Sequence, residues 1–356
     1  MTGRPAGQHE WEATFGHDEL GRPVPPRHHI LVLADVVGRP GADAARQLED
    51  GLAGLEQRHR HGPDGLLSTV GWGHAWFDGH TAHRGLISVP ARMSRWEDPV
   101  LDRPDALFHL ASDHEDVLDG TYDALFGTAG TSQREHLVVR EVRRGFVGAG
   151  LPAQALPELG IPVTSPLLFG FHSIHRGNQA TEASITIGSG PLAGGTTAHV
   201  SRIELDVERW HGQDRDAQAA LLYAPTVTAR QAEAFGDDAP SDYQRYEQTV
   251  RAHGIVGHAQ AAARARVNNV PIINRRDFAT VDDGKPGTHF VSLQRELRDF
   301  NNTRAIMNGA DGTGYHGAVG TRRRNGINAF FDVTHRATFG LPPRALRAYP
   351  HRSSSR

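Results

Sequence analysis

The chain has 356 residues, 38% of them hydrophobic, and can bury two ordinary cores or one large one. Its formal net charge of -3 argues against a nucleic-acid-binding surface. It contains no cysteine, which excludes disulfides, iron–sulfur clusters and thiolate-bound metals, so a metal must be held by His, carboxylate, Tyr or Met.

The first 27 residues are rich in Gly, Pro, His and charged residues and lack the apolar core of a secretory signal. We expect them to form a flexible arm. No apolar run reaches the roughly 18–20 residues that a membrane helix needs. These features predict a soluble, cytoplasmic protein that does not bind a membrane.

The first half of the chain alternates between strand and helix patterns. The apolar run ILVLADV at 30–36 predicts a buried strand, and leucines at helical spacing predict a helix at 42–60. Further strands are predicted at 66–72, 106–111 and 136–146, with a proline-containing loop after 72 and a helix at 113–126. This order, β-α-β-β-α-β, is that of the ferredoxin-like unit.

A similar order follows the Gly/Pro-rich join at 151–166. The patterns predict a strand at 199–207, a helix at 214–223, a strand at 289–293, a helix at 294–307 and a closing hairpin at 329–333 and 336–340. We therefore predict an α+β protein with a duplicated ferredoxin-like fold, whose two β-α-β-β-α-β halves have antiparallel sheets. The predicted domains are an arm at 1–27, a first half at 28–150, a connecting segment at 151–190, a second half at 191–348 and a disordered tail at 349–356.

The segment 254–299 has the features of a haem site. His258 precedes the pair Arg275 and Arg276 by less than twenty residues. An imidazole on a helix can bind haem iron while a following strand brings a guanidinium to the iron's other face or to the propionates. Two simpler interpretations stay open, namely a helix-start histidine bonded to a backbone carbonyl and an arginine in a salt bridge.

Several segments, in the same order, resemble the dye-decolourising peroxidase superfamily. They are VGWGHAWFD (70–78), DALFHLASD (105–113), LLFGFHS (167–173), GGTTAHVSRIELDVERW (194–210), INRRDF (273–278) and HFVSLQRELRDF (289–300). The resemblance implies two ferredoxin-like halves with haem b in the second. It assigns His258 as the proximal iron ligand, Arg275 as the distal arginine, and Phe171 and Phe290 to the cofactor pocket. Hydrogen peroxide and a small organic donor would be the substrates, and self-association into a homo-oligomer is expected.

The chain also departs from the family pattern. Ser173 stands where the family has its distal aspartate, and a serine cannot move a proton at neutral pH without a partner base. His172, His175 or Asp277 could replace that acid. The Asp277 alternative rests on strand geometry, because residues i and i+2, here Arg275 and Asp277, share a face of a strand. The family's proximal aspartate has no clear counterpart, and Asn325 lies near its place.

Three functions remain open from the sequence. The first is a haem-b oxidoreductase that uses hydrogen peroxide, with altered or weakened peroxidase chemistry. The second is a haem enzyme of another type, or a haem sensor. The third is a haem-free ferredoxin-like protein that serves in binding or assembly. The histidine pair at 172 and 175 could indicate a second metal site, but coincidence explains it as well in a chain with 22 histidines.

Overall fold

A computed structural model of the chain describes residues 4–127, 135–172, 178–236, 245–309 and 311–351. Ser173 and His175 lie outside the described residues. The strands are β1 Gly16–His17, β2 Pro23–Val24, β3 His28–Val36, β4 Leu67–Gly73, β5 Val100–Leu101, β6 Ala106–Ser112, β7 Leu137–Phe146, β8 Thr196–Leu205, β9 Arg266–Val267, β10 Val270–Pro271, β11 Ile273–Arg275, β12 Phe278–Thr280, β13 Gly287–Gln294 and β14 Phe331–Leu341.

The helices connect these strands. They are α1 Ala42–Arg58, α2 His74–His80, α3 Glu115–Phe126, α4 Leu151–Ala155, α5 Glu182–Ile185, α6 Val207–His211, α7 Arg215–Leu222, α8 Ala229–Glu233, α9 Tyr246–His253, α10 His258–Ala263, α11 Leu297–Asn308 and α12 Asp311–Tyr315. No helix in the described ranges is both long and apolar enough to cross a membrane.

The sheet confirms the predicted duplication. In the first half the spatial order is β7-β3-β6-β4, so the four strands, numbered along the chain, lie in the order 4-1-3-2 with antiparallel pairing. The second half has the same order. Its strands lie as β14-β8-β13, and the next position is shared by the short strands β11 and β12, which both pair with β13. Pairing of β4 with β14 and of β7 with β12 closes the two sheets into a ring.

Two apolar layers follow from the alternation of side chains along the strands. One face of β3 packs against α1, where Leu48, Leu52 and Leu55 are buried at the predicted helical spacing. The other face points into the ring and meets side chains of the second half, including Val200, Val291 and Phe339. The outer face of the second sheet is left for α10 and α11, and this is where the candidate site forms.

The described residues of the two chain ends, 4–27 and 349–351, correct the expectation of a flexible arm and a disordered tail. Gln8 and Trp11 are fully buried, and the Gln8 side-chain amide donates to the carbonyls of Val70 (3.1 Å) and Pro342 (2.8 Å). At the other end Tyr349 is fully buried, and the Trp76 indole donates to the Pro350 carbonyl. Composition alone misled here, because a few buried side chains anchor segments that are otherwise polar.

Two further local predictions were wrong. The predicted closing hairpin is one strand, β14, in which the register shifts between Val333 and His335. Such a bulge adds a residue without reversing the chain, so the polar pair at 334–335 does not form a turn. The proline-containing stretch after residue 72 is not only loop, since α2 and β5 lie within it.

Candidate functional site

A cavity lies between the outer face of the second sheet and helices α10 and α11. Its volume is about 1510 Å³, counting the open solvent at its mouth. Its walls are mainly apolar, with Phe290, Phe300 and Phe331 among the lining residues. The β14 bulge matters here, because it places both Val333 and Arg336 on the cavity side of the strand.

His258, at the start of α10, lines this cavity. Two glycines allow its backbone to approach its neighbours closely. A Cβ on Gly257 would lie 2.0 Å from the Tyr223 carbonyl oxygen, and one on Gly326 would lie 3.0 Å from the His258 Cα. The Gly326 N–H donates to the Val256 carbonyl (2.7 Å), which ties this segment to the residues just before His258.

The imidazole of His258 is neutral at physiological pH. Burial lowers its pKa to about 3, and the nearby guanidinium groups of Arg275 and Arg304 lower it further in the same direction. A metal ligand must be the unprotonated imidazole, so His258 is ready to bind a metal without losing a proton.

Arg275 and Asp277 line the same cavity from the segment that joins β11 to β12. The Arg275 backbone N–H donates to Oε1 of Gln179 at 2.6 Å, which fixes this segment against the loop before α5. Oδ1 of Asp277 is buried and has no hydrogen-bond partner among the described residues. Arg276, between them, turns away and pairs with Glu182 at 2.7 Å. Side chains therefore alternate in direction along 275–277, and the cation of Arg275 and the carboxylate of Asp277 both face the cavity.

Arg304 and Arg336 form a second group of charges in the cavity wall. Arg336 is fully buried and pairs with Glu97 at 2.7 Å. Burial, together with the nearby charge of Arg336, lowers the pKa of Arg304 to about 9, still high enough to keep its charge at neutral pH. Nη2 of Arg304 donates to Oδ1 of Asn328 at 3.3 Å.

The other predicted site residues divide into two groups. Phe171 and Phe290 line the cavity. His172 and Asn325 do not belong to its lining: the His172 carbonyl accepts a hydrogen bond from the Tyr223 hydroxyl, and the Asn325 amide donates to the carbonyls of Met307 (3.2 Å) and Thr321 (3.1 Å). Asn325 thus holds the loop before β14 rather than the imidazole.

Sequence reasoning missed Arg304 and Arg336. In α11 the buried positions include Leu297, Phe300 and Met307, and Arg304 falls on the same face at helical spacing. An arginine on the apolar face of an amphipathic helix is a signal that the sequence does contain. The position of Arg336 depends on the β14 bulge, which no local pattern reveals.

A second cavity, of about 1340 Å³ counting the open solvent at its mouth, lies on the other side of the segment 274–277. The N-terminal residues, including Trp11 and Phe15, form part of its wall. Arg275 and Asp277 line both cavities. They stand between the main cavity and a second one lined by the N-terminal segment.

The comparison with protein families decides the chain's affiliation. Residues 26–343 match the model of a family described as a family of unknown function, DUF7405. The chain belongs to this family. No curated protein matches the sequence of this DUF7405 protein.

Solved structures show which fold the DUF7405 protein has. A putative DyP-type peroxidase from Shewanella oneidensis matches with a TM-score of 0.62 at 15% identity, covering 91% of this chain and 95% of that chain. A variant of DypB from Rhodococcus jostii in complex with heme matches with a TM-score of 0.62 at 15% identity, covering 97% and 99%. The encapsulated DyP-type peroxidase from Mycobacterium smegmatis matches with a TM-score of 0.60 at 15% identity, covering 94% and 98%. The DyP-like fold indicated by the sequence is therefore confirmed.

Proposed function

We propose that this protein binds haem b in the main cavity, with His258 as the iron ligand, and acts as an oxidoreductase on hydrogen peroxide and an organic donor. The observation that supports this most strongly is a neutral imidazole facing a large apolar cavity. The similarity to DyP-type peroxidases, one of them a complex with heme, supports haem as the bound group.

The residues present fit a haem. The cavity is open to solvent at its mouth and has mainly apolar walls, as the faces of a porphyrin require. Arg304 and Arg336 provide positive charge in its wall for the propionates, and the buried Oδ1 of Asp277 has no partner among the described residues. When bound, haem would supply the redox chemistry, and the protein supplies position and electrostatics.

Arg275 and Asp277 are the residues of the chain that would act on a peroxide. The Arg275 guanidinium attracts and stabilises negative charge that develops on an oxygen beside it. Oδ1 of Asp277 can accept a proton from one peroxide oxygen and return it to the other. In the net reaction the donor gives up two electrons, and hydrogen peroxide with two protons becomes two molecules of water.

One observation favours a haem enzyme with slow peroxide chemistry as a second candidate. The charged groups that shift the pKa of His258 are Arg275 and Arg304, and no carboxylate of the described residues is among them. A carboxylate behind a ligating imidazole raises its basicity. Without such a carboxylate His258 is a weaker electron donor, which disfavours cleavage of an oxygen–oxygen bond.

An absorption spectrum tests haem binding. The wild-type chain should show a Soret band after haem is added, and H258A should lose it. Replacing the exposed His114 provides the control, because H114A should bind haem as the wild type does. A wild-type protein without a Soret band after addition of haem would refute the proposal.

Peroxide kinetics test the role of Asp277. D277N keeps the shape of the side chain but removes the proton acceptor, and a general acid–base residue contributes about 10²–10⁴-fold to a rate. We expect the reaction of haem-loaded D277N with peroxide to slow by about that factor. The exposed Asp332 pairs with Arg322 at the surface, so D332N is the matched control. Equal rates for D277N and D332N would remove Asp277 from the mechanism.

A further inference from the structure

Arg304 is a buried cation without a carboxylate partner among the described residues. Its guanidinium lies 5.0 Å from the centre of the Phe331 ring, and its hydrogen bond to Oδ1 of Asn328 is 3.3 Å long. The residue is only 7% exposed. A buried charge of this kind destabilises a protein unless an opposite charge compensates it.

The groups around Arg304 do not supply that charge. Glu97 is the carboxylate of the described residues that acts on Arg304, and it already pairs with Arg336. Two guanidinium groups therefore share one carboxylate, and this corner of the cavity keeps a net charge of about +1. A monoanion would neutralise it, whereas a dianion would reverse its sign.

The corner also holds buried hydrogen-bond donors without partners among the described residues. Nε of Arg336 has no partner among the described residues. Both ring nitrogens of His199 are likewise unpartnered there, although His199 is fully buried with its ring 4.2 Å from that of Phe300. A neutral imidazole carries one N–H, so Nε of Arg336 and one ring nitrogen of His199 are two buried donors without an acceptor.

We propose that the corner formed by Arg304, Arg336 and Ser201 binds the carboxylate of an amphipathic ligand whose apolar body fills the cavity. Ser201 lines the cavity, and its hydroxyl already accepts a hydrogen bond from Nη1 of Arg336 at 3.1 Å, which leaves its proton free to donate to a ligand. The carboxylate comes either from a propionate of haem, in which case the inference rests on the proposed function, or from a separate organic acid.

Binding measurements with R304M test this site. Methionine keeps the length and the apolar contacts of the side chain but removes the charge. Arg298, an exposed residue of the same helix, gives the matched control R298M. Because a hydrogen bond to a charged group is stronger than a neutral one, its loss is expected to weaken binding by about 10- to 100-fold.

The probes distinguish the two sources. If a propionate occupies the corner, R304M binds haem about 10- to 100-fold more weakly than R298M does, and both bind the haem dimethyl ester equally. If a separate acid occupies it, R304M and R298M bind haem equally, but only haem-loaded R298M binds octanoate, and octanamide binds to neither.

Two outcomes separate failure of this site from failure of haem binding. If the wild-type chain binds no haem, the proposed function fails. The carboxylate site is still established if the haem-free wild-type chain binds octanoate and the R304M variant does not. Equal binding of haem and octanoate by R304M and R298M overturns the site. R304M should be as stable as R298M or more stable without ligand, because it removes a buried charge, and R304K, which keeps the charge, should retain binding within about tenfold.

Discussion

Replacing Gly326 by alanine should destabilise the protein by displacing His258. Gly326 has φ +54°, and an added Cβ would lie 3.0, 3.1 and 3.2 Å from Cα, Cβ and N of His258. The left-handed backbone costs a residue with a Cβ about 1–2 kcal/mol, and overpacking costs about 1–3 kcal/mol more. We expect the free energy of unfolding of G326A to fall by about 2–5 kcal/mol.

The control for this variant is Gly284. It has φ +70°, but an added Cβ there would meet nothing within 4 Å, so G284A pays only the backbone cost. Urea unfolding of both variants isolates the packing term, expected to be about 1–3 kcal/mol. G326A should also bind haem more weakly than G284A. Equal stability and equal haem affinity of the two variants would refute the claim that Gly326 positions His258.

Three more predictions concern the arm, the buried histidines and the distal acid. Q8A leaves buried groups of Val70 and Pro342 without partners and should lower the free energy of unfolding by about 2–4 kcal/mol in urea unfolding, while Q57A, at an exposed position, should change it little. Burial lowers the pKa of His29 to about 3, so the folded protein loses stability as the pH falls below about 6.5, the pKa of this histidine in the unfolded chain. Between pH 6.5 and 5 His29 should lower the free energy of unfolding by about 2 kcal/mol, and H29F should not show this loss. S173D should raise the rate of reaction with peroxide in stopped-flow absorbance if the sequence resemblance is correct, and an unchanged rate would count against it.

The fold was predictable because its signals are local and repeated. Apolar runs marked β3 and β6, and the leucine spacing marked α1, so the order of elements that defines a ferredoxin-like half could be read directly. The strand pairings between residues far apart in the sequence could not be predicted. The ring closes where β4 meets β14 and where β7 meets β12, and those pairings join residues far apart in sequence.

The candidate site was predictable only in part, for a similar reason. His258, Arg275 and Asp277 lie within twenty residues of one another, and helix and strand periodicity place them on one cavity. Arg304 and Arg336 come from α11 and β14, and only the packing of that helix on that strand brings them together. Asn325 illustrates the limit, because its distance along the chain from Pro342 said nothing about where its amide would point.

Rescue of haem binding by free imidazole tests the central claim most directly. H258G removes the ring that we assign as the iron ligand and leaves space for an imidazole molecule in the cavity wall. We predict that H258G shows little Soret absorbance alone and regains a histidine-like haem spectrum when imidazole is added. A haem spectrum of H258G that equals that of the wild type without imidazole would contradict the assignment of His258.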